Sequence, residues 1–341
     1  MPAITPSFVM DLESRMRMIQ DNEYLRLSSN LWWSRLTRTF TSQSRRDIIN
    51  WVISSAQIDD MGQGGNIEFD PMYLMENEYT HGEAGKGLKL RRKQFEDLDG
   101  NGVQLATEWA AQMGAQSAYW PQKRATQLLK DGTTRKGYDG KAFFATDHPV
   151  NPKKPSAGVY SNLLNGSGYK IDVSVTADVA LANLAKVFAA ITAIKMPNGV
   201  DPRFLRPEMI LCGPTLFPRA VQITNAKFLA QAAASGGGGA DVEALISALG
   251  YGMPQMADEL AGYESDTTYF VACKQLTQSQ IGGLLYIERE GFSTRYYTGR
   301  GGGTGVDAIL DRADELEWHH SGRNGSDYGH PYTIIKVSPS T

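Results

Sequence analysis

The sequence predicts an α+β fold, on three observations. Apolar residues recur at helical spacing in some segments and alternate with polar residues in others. These two kinds of segment do not follow the regular strand–helix–strand order of parallel α/β proteins. Hydrophobic residues make up 41% of the 341 residues and charged residues 21%, which is enough apolar material for a sizeable core.

The charge and the apolar stretches argue against several classes of protein. A net charge of −3 does not suit a protein whose main task is to grip nucleic acid, because such proteins carry a basic excess. The longest apolar stretch, residues 187–194, is too short to span a bilayer, and no signal peptide is visible. Cys212 and Cys273 are expected to be buried, reduced thiols.

The N-terminal elements are a helix and two extended segments. Residues 7–27 have apolar side chains at helical spacing, and Ser7 can cap this helix. Residues 31–40 are aromatic and β-branched and are predicted to be extended. After a polar break, residues 48–54 are apolar again.

Residues 73–92 are predicted to form a long two-stranded hairpin. Residues 73–80 alternate between polar and apolar side chains, and three glycines in residues 81–87 suit a turn. Residues 88–92 alternate between apolar and cationic side chains, as expected for a half-exposed strand. Few of these residues suit a core, and a lone hairpin is marginal in water. We therefore expect a neighbouring subunit to cover it.

Residues 101–131 are the longest helical candidate. Asn101 is suited to cap this helix, and Pro121 is expected to kink or divide it. Residues 133–170 are rich in Gly, Pro, Asn and Lys and are predicted to connect two modules.

The second module is predicted to mix helices and strands. The predicted helices are residues 179–195 and 242–249, and the predicted strands are residues 209–214, 268–273, 284–290 and the C-terminal segment. The glycine-rich residues 234–241 and 299–305 are expected to be flexible loops, since neither has the Lys-Ser or Lys-Thr end of a phosphate-binding loop.

Histidine and its neighbours provide the candidates for chemistry. Asp147 and His148 could combine with His319 and His320 in a metal-dependent hydrolase. Adjacent residues of a strand point to opposite faces, however, so the last two are poorly placed to share an ion. His148 is better explained as a turn residue fixed by Pro149. We therefore predict no catalytic residue, no metal and no cofactor.

Residues 128–149 carry a resemblance to a known family. Their sequence, LLKDGTTRKGYDGKAFFATDHP, closely resembles a segment of the Mu-type phage major head subunit (T protein) family. The shared features are a helix end followed by Tyr138-Asp139-Gly140, Phe143-Phe144 and His148-Pro149. The detailed resemblance covers roughly residues 35–150.

This resemblance implies a tailed-phage major capsid protein with the Hong Kong 97 type fold. It implies the following domains: an N-terminal arm (residues 1–53), an extended β-hairpin loop (54–96), a peripheral domain (97–174) with a long spine helix (101–131), an axial domain (175–280), and return strands of the peripheral domain (281–341).

The resemblance also implies the partners. Copies of the chain would form hexamers and pentamers of an icosahedral head, with scaffolding, protease, portal and decoration proteins as further partners. Scaffolding is expected to be a separate protein, because the chain reaches its arm almost at once. The head would enclose double-stranded DNA without sequence-specific binding, after assembly in the cytoplasm of a bacterial host, with no membrane and no enzymatic activity.

Eight residues are predicted to contact neighbouring subunits. Three tryptophans of the arm favour burial in a core or subunit interface over base stacking, and two of them belong to this set. The predicted contact residues are Tyr73, Met75, Tyr79, Lys89, Arg91, Arg92, Trp32 and Trp33. Three other functions stay open: the shell of a cellular nanocompartment with the same fold, a tail or connector protein, and the hydrolase described above.

Overall fold

The computed structural model describes residues 4–44, 46–53, 73–97, 101–224, 254–275, 282–297 and 314–339. The helices are α1 (Pro6–Ser28), α2 (Trp33–Leu36), α3 (Lys93–Glu96), α4 (Gly102–Asp131), α5 (Ala177–Thr192) and α6 (Phe217–Thr224). The strands are β1 (Thr37–Thr41), β2 (Arg46–Val52), β3 (Leu74–Thr80), β4 (Gly82–Arg91), β5 (His148–Pro149), β6 (Val159–Tyr160), β7 (Leu163–Asn165), β8 (Leu205–Cys212), β9 (Pro254–Met256), β10 (Tyr269–Gln275), β11 (Leu284–Tyr296), β12 (Glu315–Tyr328) and β13 (Ile334–Ser338). This mixture confirms the predicted α+β class.

A four-stranded sheet joins the two ends of the chain. Its order is β1-β11-β12-β4, with β1 parallel to β11 and the other neighbours antiparallel. Phe40 pairs with Ile287, and Leu88 pairs with Trp318. Strand β4 is therefore an edge strand of this sheet, although it lies far from β12 in sequence.

A five-stranded sheet forms the second core. Its order is β7-β13-β10-β8-β9, and α5 packs on one face through Leu184, Phe188 and Ile191. Strand β13 lies between β7 and β10. The expected boundary at residues 280 and 281 therefore does not separate the two sheets, because β13 of the C-terminal segment lies in one sheet with β7, β8, β9 and β10.

Helices α1 and α4 pack closely across one another. The prediction of an N-terminal helix is confirmed, but Thr5 caps it in place of Ser7, since Thr5 Oγ1 accepts a hydrogen bond from the Phe8 amide at 3.2 Å. The helices meet at Gly114, where an added Cβ would collide with the backbone of Gln20. Glycine is therefore required there for the close approach of the two backbones.

Helix α4 continues through Pro121, so of the two expected effects, a kink or a division of the helix, the division does not occur. A proline removes one backbone hydrogen bond at a cost of about 3 kcal/mol. Ala118, Ala125 and Leu128 on either side are buried in the subunit. Burial of this face on both sides of the proline offsets the lost hydrogen bond.

The predicted hairpin is not formed. Strand β3 pairs with β2, whereas β4 pairs with β12, so the two halves of residues 73–92 belong to different sheets. The glycines assigned to a turn lie within β4 instead. A Cβ at Gly85 would lie 2.6 Å from the carbonyl oxygen of His320, so glycine allows the strands to approach.

Other predicted elements have different outcomes. Helix α5 and strands β8, β10 and β11 confirm the predictions for their segments. Residues 31–40 begin with the short helix α2 before β1, and the predicted connection at residues 133–170 contains β5 to β7. Predictions for residues 234–241, 242–249 and 299–305 lie outside the described residues. Within the described ranges, no helix combines the length and apolar character needed to cross a membrane.

Candidate subunit-contact surface

Strands β2 and β3 form an antiparallel ribbon with two different faces. Successive side chains of a strand point to opposite faces, so each face takes every second residue. The inner face, which is buried or half-buried, consists of Asp47, Ile49, Trp51, Met75, Asn77 and Tyr79. The outer face, which is exposed, consists of Arg46, Ile48, Asn50, Val52, Leu74, Glu76, Glu78 and Thr80.

The inner face is anchored to the rest of the subunit. The Trp51 indole donates a hydrogen bond to Tyr79 Oη at 3.1 Å, and that hydroxyl donates to the Tyr328 carbonyl at 3.3 Å. Burial raises the pKa of Tyr79 to about 12, so its hydroxyl remains a donor. Tyr138 stacks on Trp51 with ring centres 5.5 Å apart. This contact connects the ribbon to the Tyr-Asp-Gly segment.

The outer face exposes an apolar patch. Ile48 is 63% exposed, Val52 53% and Leu74 56%, and the last two lie directly opposite each other. Glu78 forms an ion pair with Arg46 at 3.1 Å, whereas Glu76 has no ion-pair partner among the described residues. The outer face therefore combines three exposed apolar side chains with polar ones, and among the described residues the Glu76 carboxylate has no ion-pair partner.

A groove of about 590 Å³ lies between β4 and α4. Its walls are mainly apolar and include Met113, Trp120, Phe292 and Ala84, with Lys86 as the charged group. The Phe292 ring stacks on His320, whose ring centre lies 5.4 Å away. The groove thus combines aromatic walls with one cation.

His320 joins four elements beside this groove. Its Nε2–H donates to Ser117 Oγ at 2.7 Å, because the Ser117 hydroxyl itself donates to the Met113 carbonyl at 2.7 Å. The side-chain amide of Gln20 donates to Nδ1 at 3.2 Å, and Thr294 donates to Gln20 Oε1 at 2.7 Å. Burial lowers the pKa of His320 to about 4. The network therefore holds a neutral imidazole between α1, α4, β11 and β12.

The eight predicted contact residues fall into three groups. Tyr79 and Trp32 are buried within the subunit itself, so in this conformation they offer no surface to a neighbour. Trp33 packs on Tyr286, with ring centres 5.6 Å apart. Sequence reasoning placed these rings correctly among apolar partners but did not distinguish the subunit's own core from an interface.

The other predicted contact residues are accessible or partly so. Tyr73 is 38% exposed, and Met75 lies half-buried on the inner face. Arg91 is exposed, and Arg92 pairs with Glu96 at 2.6 Å.

Two further features of the surface concern Lys89 and the outer face. Lys89 forms ion pairs with Glu315 at 2.9 Å and with Glu317 at 2.8 Å.

Sequence reasoning missed the exposed apolar side chains on the outer face of the ribbon, Ile48, Val52 and Leu74. The signal was present, because residues 46–53 are apolar on both faces of the strand.

The histidines do not form a metal site. His148, predicted to lie in a turn, is a fully buried residue of β5. His319 and His320 point to opposite faces as expected, and the exposed His319 stacks on Tyr297. In the part of the chain that the structure describes, no three His, Cys, Asp or Glu side chains come together as possible metal ligands. Asp147 is exposed and forms an ion pair with Lys141, and among the described residues no interaction joins it to His319 or His320.

Comparisons with known proteins point to phage capsids. Residues 25–175 match the family model of the Mu-like prophage major head subunit gpT. The major capsid protein of Escherichia phage Mu is 34% identical over 93 residues, which are 27% of this chain and 28% of that protein. The match thus spans less than a third of the Mu protein's length.

Solved capsid structures share the fold at low sequence identity. The capsid of cyanophage P-SCSP1u has a TM-score of 0.54 at 13% identity, over 91% of this chain and 88% of that chain. The mature capsid of bacteriophage PhiM1 has a TM-score of 0.51 at 11% identity, over 91% of this chain and 87% of that chain. These likenesses confirm the expected Hong Kong 97 type fold.

Proposed function

We propose that the chain is the major capsid protein of a tailed phage, because residues 25–175 match the family model of the Mu-like prophage major head subunit gpT and 93 residues are 34% identical to the major capsid protein of Escherichia phage Mu. In this role it self-assembles into the closed icosahedral head that encloses double-stranded DNA. The observation that carries the proposal is the outer face of the ribbon, where Ile48, Val52 and Leu74 remain exposed. Large apolar side chains that are exposed together on one face of a ribbon favour protein–protein contact.

The physics of a closed shell explains why one chain carries such a surface. Each copy must present one patch to the next copy and receive a different patch in return. A two-stranded ribbon is marginally stable by itself, and only its inner face is covered by its own subunit. Contacts of modest strength suffice, because many copies contribute to one assembly.

The domain roles follow from the proposed function. Residues 1–53 serve as the N-terminal arm, which contributes β2 to the ribbon, and residues 54–96 serve as the extended loop, which contributes β3. Helix α4 is the spine helix of the peripheral domain. The five-stranded sheet with α5 forms the core of the axial domain, to which β13 contributes. The predicted contact residues that the subunit leaves wholly or partly accessible are Trp33, Tyr73, Met75, Lys89, Arg91 and Arg92.

The partners follow from the same role. Copies of the chain form hexamers and pentamers, with scaffolding, protease, portal and decoration proteins as further partners. The protein is part of the virion and assembles in the cytoplasm of a bacterial host. A net charge of −3 suits a container that surrounds DNA without binding it tightly, and the proposed role is structural, not enzymatic.

Electron microscopy of the expressed full-length chain tests this function. We expect closed shells of uniform diameter, and particles from infected cells should contain double-stranded DNA and no cargo enzyme. Rings or tubes would identify a tail or connector protein, and an enzyme cargo would identify a nanocompartment shell. Metal analysis and hydrolase assays test the remaining alternative, a metal-dependent hydrolase. Hydrolase activity that is present in the wild-type protein and lost in the His148→Ala variant would overturn the proposal.

A paired variant tests the role of the ribbon. Val52→Asp with Leu74→Asp places two charges on the outer face without touching the buried anchors, so we expect a folded chain that no longer forms shells. Val173→Asp is the matched control, because Val173 is 86% exposed and lies outside the ribbon. Normal shells from the paired variant would show that this face is not a contact surface.

A further inference from the structure

A small cavity lies at the base of the ribbon, between the end of β2 and the segments that anchor it. Its volume is about 30 Å³, which leaves room for about one or two particles the size of a water molecule. Ribbon residues and polar residues from the rest of the subunit line it, among them Val52, Ile53, Tyr138, Asp139, Arg203 and His330.

Arg203, in the connection from α5 to β8, supplies a buried cation to this cavity. The residue is only 7% exposed, and its Cζ lies 3.8 Å from the centre of the Tyr332 ring. Its Nε donates to the Lys195 carbonyl at 3.2 Å, and among the described residues its other N–H groups have no acceptor. Within the same ranges, no ion pair joins Arg203 to a carboxylate. A buried charge without a counter-charge is costly, so the cavity favours an anion.

His330 supplies a second hydrogen-bond donor. Its Nδ1 is buried and has no hydrogen-bond partner among the described residues. Burial is the main cause that lowers the pKa of His330 to about 3, and the charge of Arg203 lowers it further, so the ring is neutral near pH 7. A neutral imidazole carries one N–H group, which in the Nδ1–H tautomer can donate to an anion.

One carboxylate, that of Asp139, also lines the cavity, and its charge opposes an anion. Both of its oxygens have other partners, because Oδ2 lies 2.5 Å from His148 Nδ1 and Oδ1 accepts from the Lys141 amide at 3.1 Å. Arg203 is therefore the charged group of the cavity that the described part of the subunit leaves without a partner.

The backbone next to Arg203 has an unusual conformation. Phe204 has a φ of 53°, in the left-handed region that bulky residues avoid, and it is 49% exposed. An exposed phenylalanine beside a buried arginine reverses the usual distribution of these residue types. Backbone strain of this kind is concentrated at ligand sites. The local structure thus favours the position of the guanidinium over burial of the aromatic ring.

We propose that this cavity binds a single chloride ion, which is held by the Arg203 guanidinium and by Nδ1–H of His330. Phosphate and sulfate are too large, since each of their four oxygens needs about the space of one water molecule. Because Val52 and Ile53 line the cavity, the ion stabilises the attachment of the ribbon to its subunit. The site lies within one subunit, so the proposal does not depend on the proposed role in a shell.

Line broadening in chlorine NMR tests the site on the full-length protein. The wild-type protein should broaden the chloride resonance, bromide should reverse the broadening by competition, and phosphate should not. Arg203→Gln should lower the affinity for chloride at least about tenfold, because it removes a hydrogen bond from a charged donor. Arg206→Gln is the matched control, since Arg206 is an exposed residue of β8 close by in sequence, and it should bind like wild type.

Two results of this experiment would overturn the proposal. One is a wild-type protein that does not broaden the resonance, and the other is a folded Arg203→Gln variant that broadens it as much as wild type. If Arg203→Gln does not fold, anomalous scattering from wild-type crystals soaked in bromide decides. A bromide peak within hydrogen-bonding distance of Arg203 supports the site, and water alone in the cavity contradicts it.

Hydrogen exchange tests the effect on the ribbon. The Ile53 amide donates to the Tyr73 carbonyl at 2.9 Å, at the end of the ribbon that borders the cavity. Chloride should slow the exchange of this amide in the wild-type protein, compared with phosphate at equal ionic strength, and should have no such effect in Arg203→Gln. Equal exchange rates in the two salts would show that the ion does not stabilise the ribbon.

Discussion

The Nδ1 atom of His148 lies 2.5 Å from Oδ2 of Asp139, and both side chains are buried. On the other side of the ring, Nε2 faces Asn162 Oδ1 at 3.1 Å and the Phe143 carbonyl at 3.2 Å. Oxygen atoms therefore face both ring nitrogens of His148. Asn162 also donates to the Pro331 carbonyl at 2.9 Å. The pair therefore joins the Tyr-Asp-Gly segment to the C-terminal part of the chain.

Asp139→Asn should destabilise the subunit strongly. The Asp139 carboxylate is the hydrogen-bond partner of the buried His148 Nδ1, and a buried polar group that loses such a partner costs about 1–3 kcal/mol. The free energy of unfolding in urea measures this loss. The control is Asp147→Asn, whose exposed pair with Lys141 should contribute almost nothing to stability. Equal stability of the two variants would contradict the structural role of His148.

Gly114→Ala should separate α1 from α4. The new methyl group would meet the backbone of Gln20, which cannot move like the end of a flexible side chain. We expect a loss of about 2–3 kcal/mol despite the better helix propensity of alanine. Hydrogen exchange should become faster throughout α1. Gly168→Ala is the control, since no atom lies within 4 Å of its added Cβ, and it should unfold like wild type.

Stability should fall as the pH is lowered from about 6.5 to about 4. Burial lowers the pKa of His320 to about 4 and that of His330 to about 3, where burial is also the main cause. Below the ordinary histidine pKa of about 6.5, the unfolded chain takes up protons that the folded chain does not, so unfolding becomes more favourable. Between these two pH values, His320 alone should lower the free energy of unfolding by about 3 kcal/mol.

Urea unfolding across this pH range measures the effect. His320→Gln keeps hydrogen-bonding groups at the position but cannot titrate, so its stability should depend less on pH than that of wild type. An unchanged pH dependence in this variant would show that His320 is not the group responsible.

Tyr79→Phe should loosen the base of the ribbon. The change removes the hydroxyl that accepts from Trp51 and donates to the Tyr328 carbonyl, so two buried polar groups lose their partner. Each unsatisfied group costs about 1–3 kcal/mol. We expect lower stability and fewer shells, measured by urea unfolding and microscopy. Tyr297→Phe serves as the control, because Tyr297 is only half-buried and stacks on the exposed His319.

The hydrophobic periodicity of the sequence predicted where helices and strands lie better than it predicted which strands pair. The apolar stripes that indicated the N-terminal helix and the long helix at residues 101–131 depend on local spacing, and both helices are present. The same local pattern indicated strands within residues 73–92. It could not indicate that β4 pairs with β12, which lies more than two hundred residues further along the chain, because alternation defines the faces of a strand and not its neighbour.

The tertiary contacts of individual residues also could not be predicted from the sequence. The Asp139–His148 pair lies close in sequence, but Asn162 and Pro331, which complete its surroundings, are brought there only by the tertiary fold. The tryptophans of the arm were expected to be buried in a core or an interface, and Trp51 is buried within the subunit. The apolar pattern of β2 could not indicate which face of the ribbon the subunit covers, since that depends on where the ribbon is anchored.

The position of β13 affects how the subunit can be synthesised. Strand β10 has β13 on one side and β8 on the other, and β13 ends at residue 338. During translation, β10 emerges from the ribosome long before its second neighbour, so one edge of an apolar strand stays open until synthesis of the C-terminal segment. A fragment ending at residue 280 would keep that edge permanently, and we expect it to aggregate or be degraded.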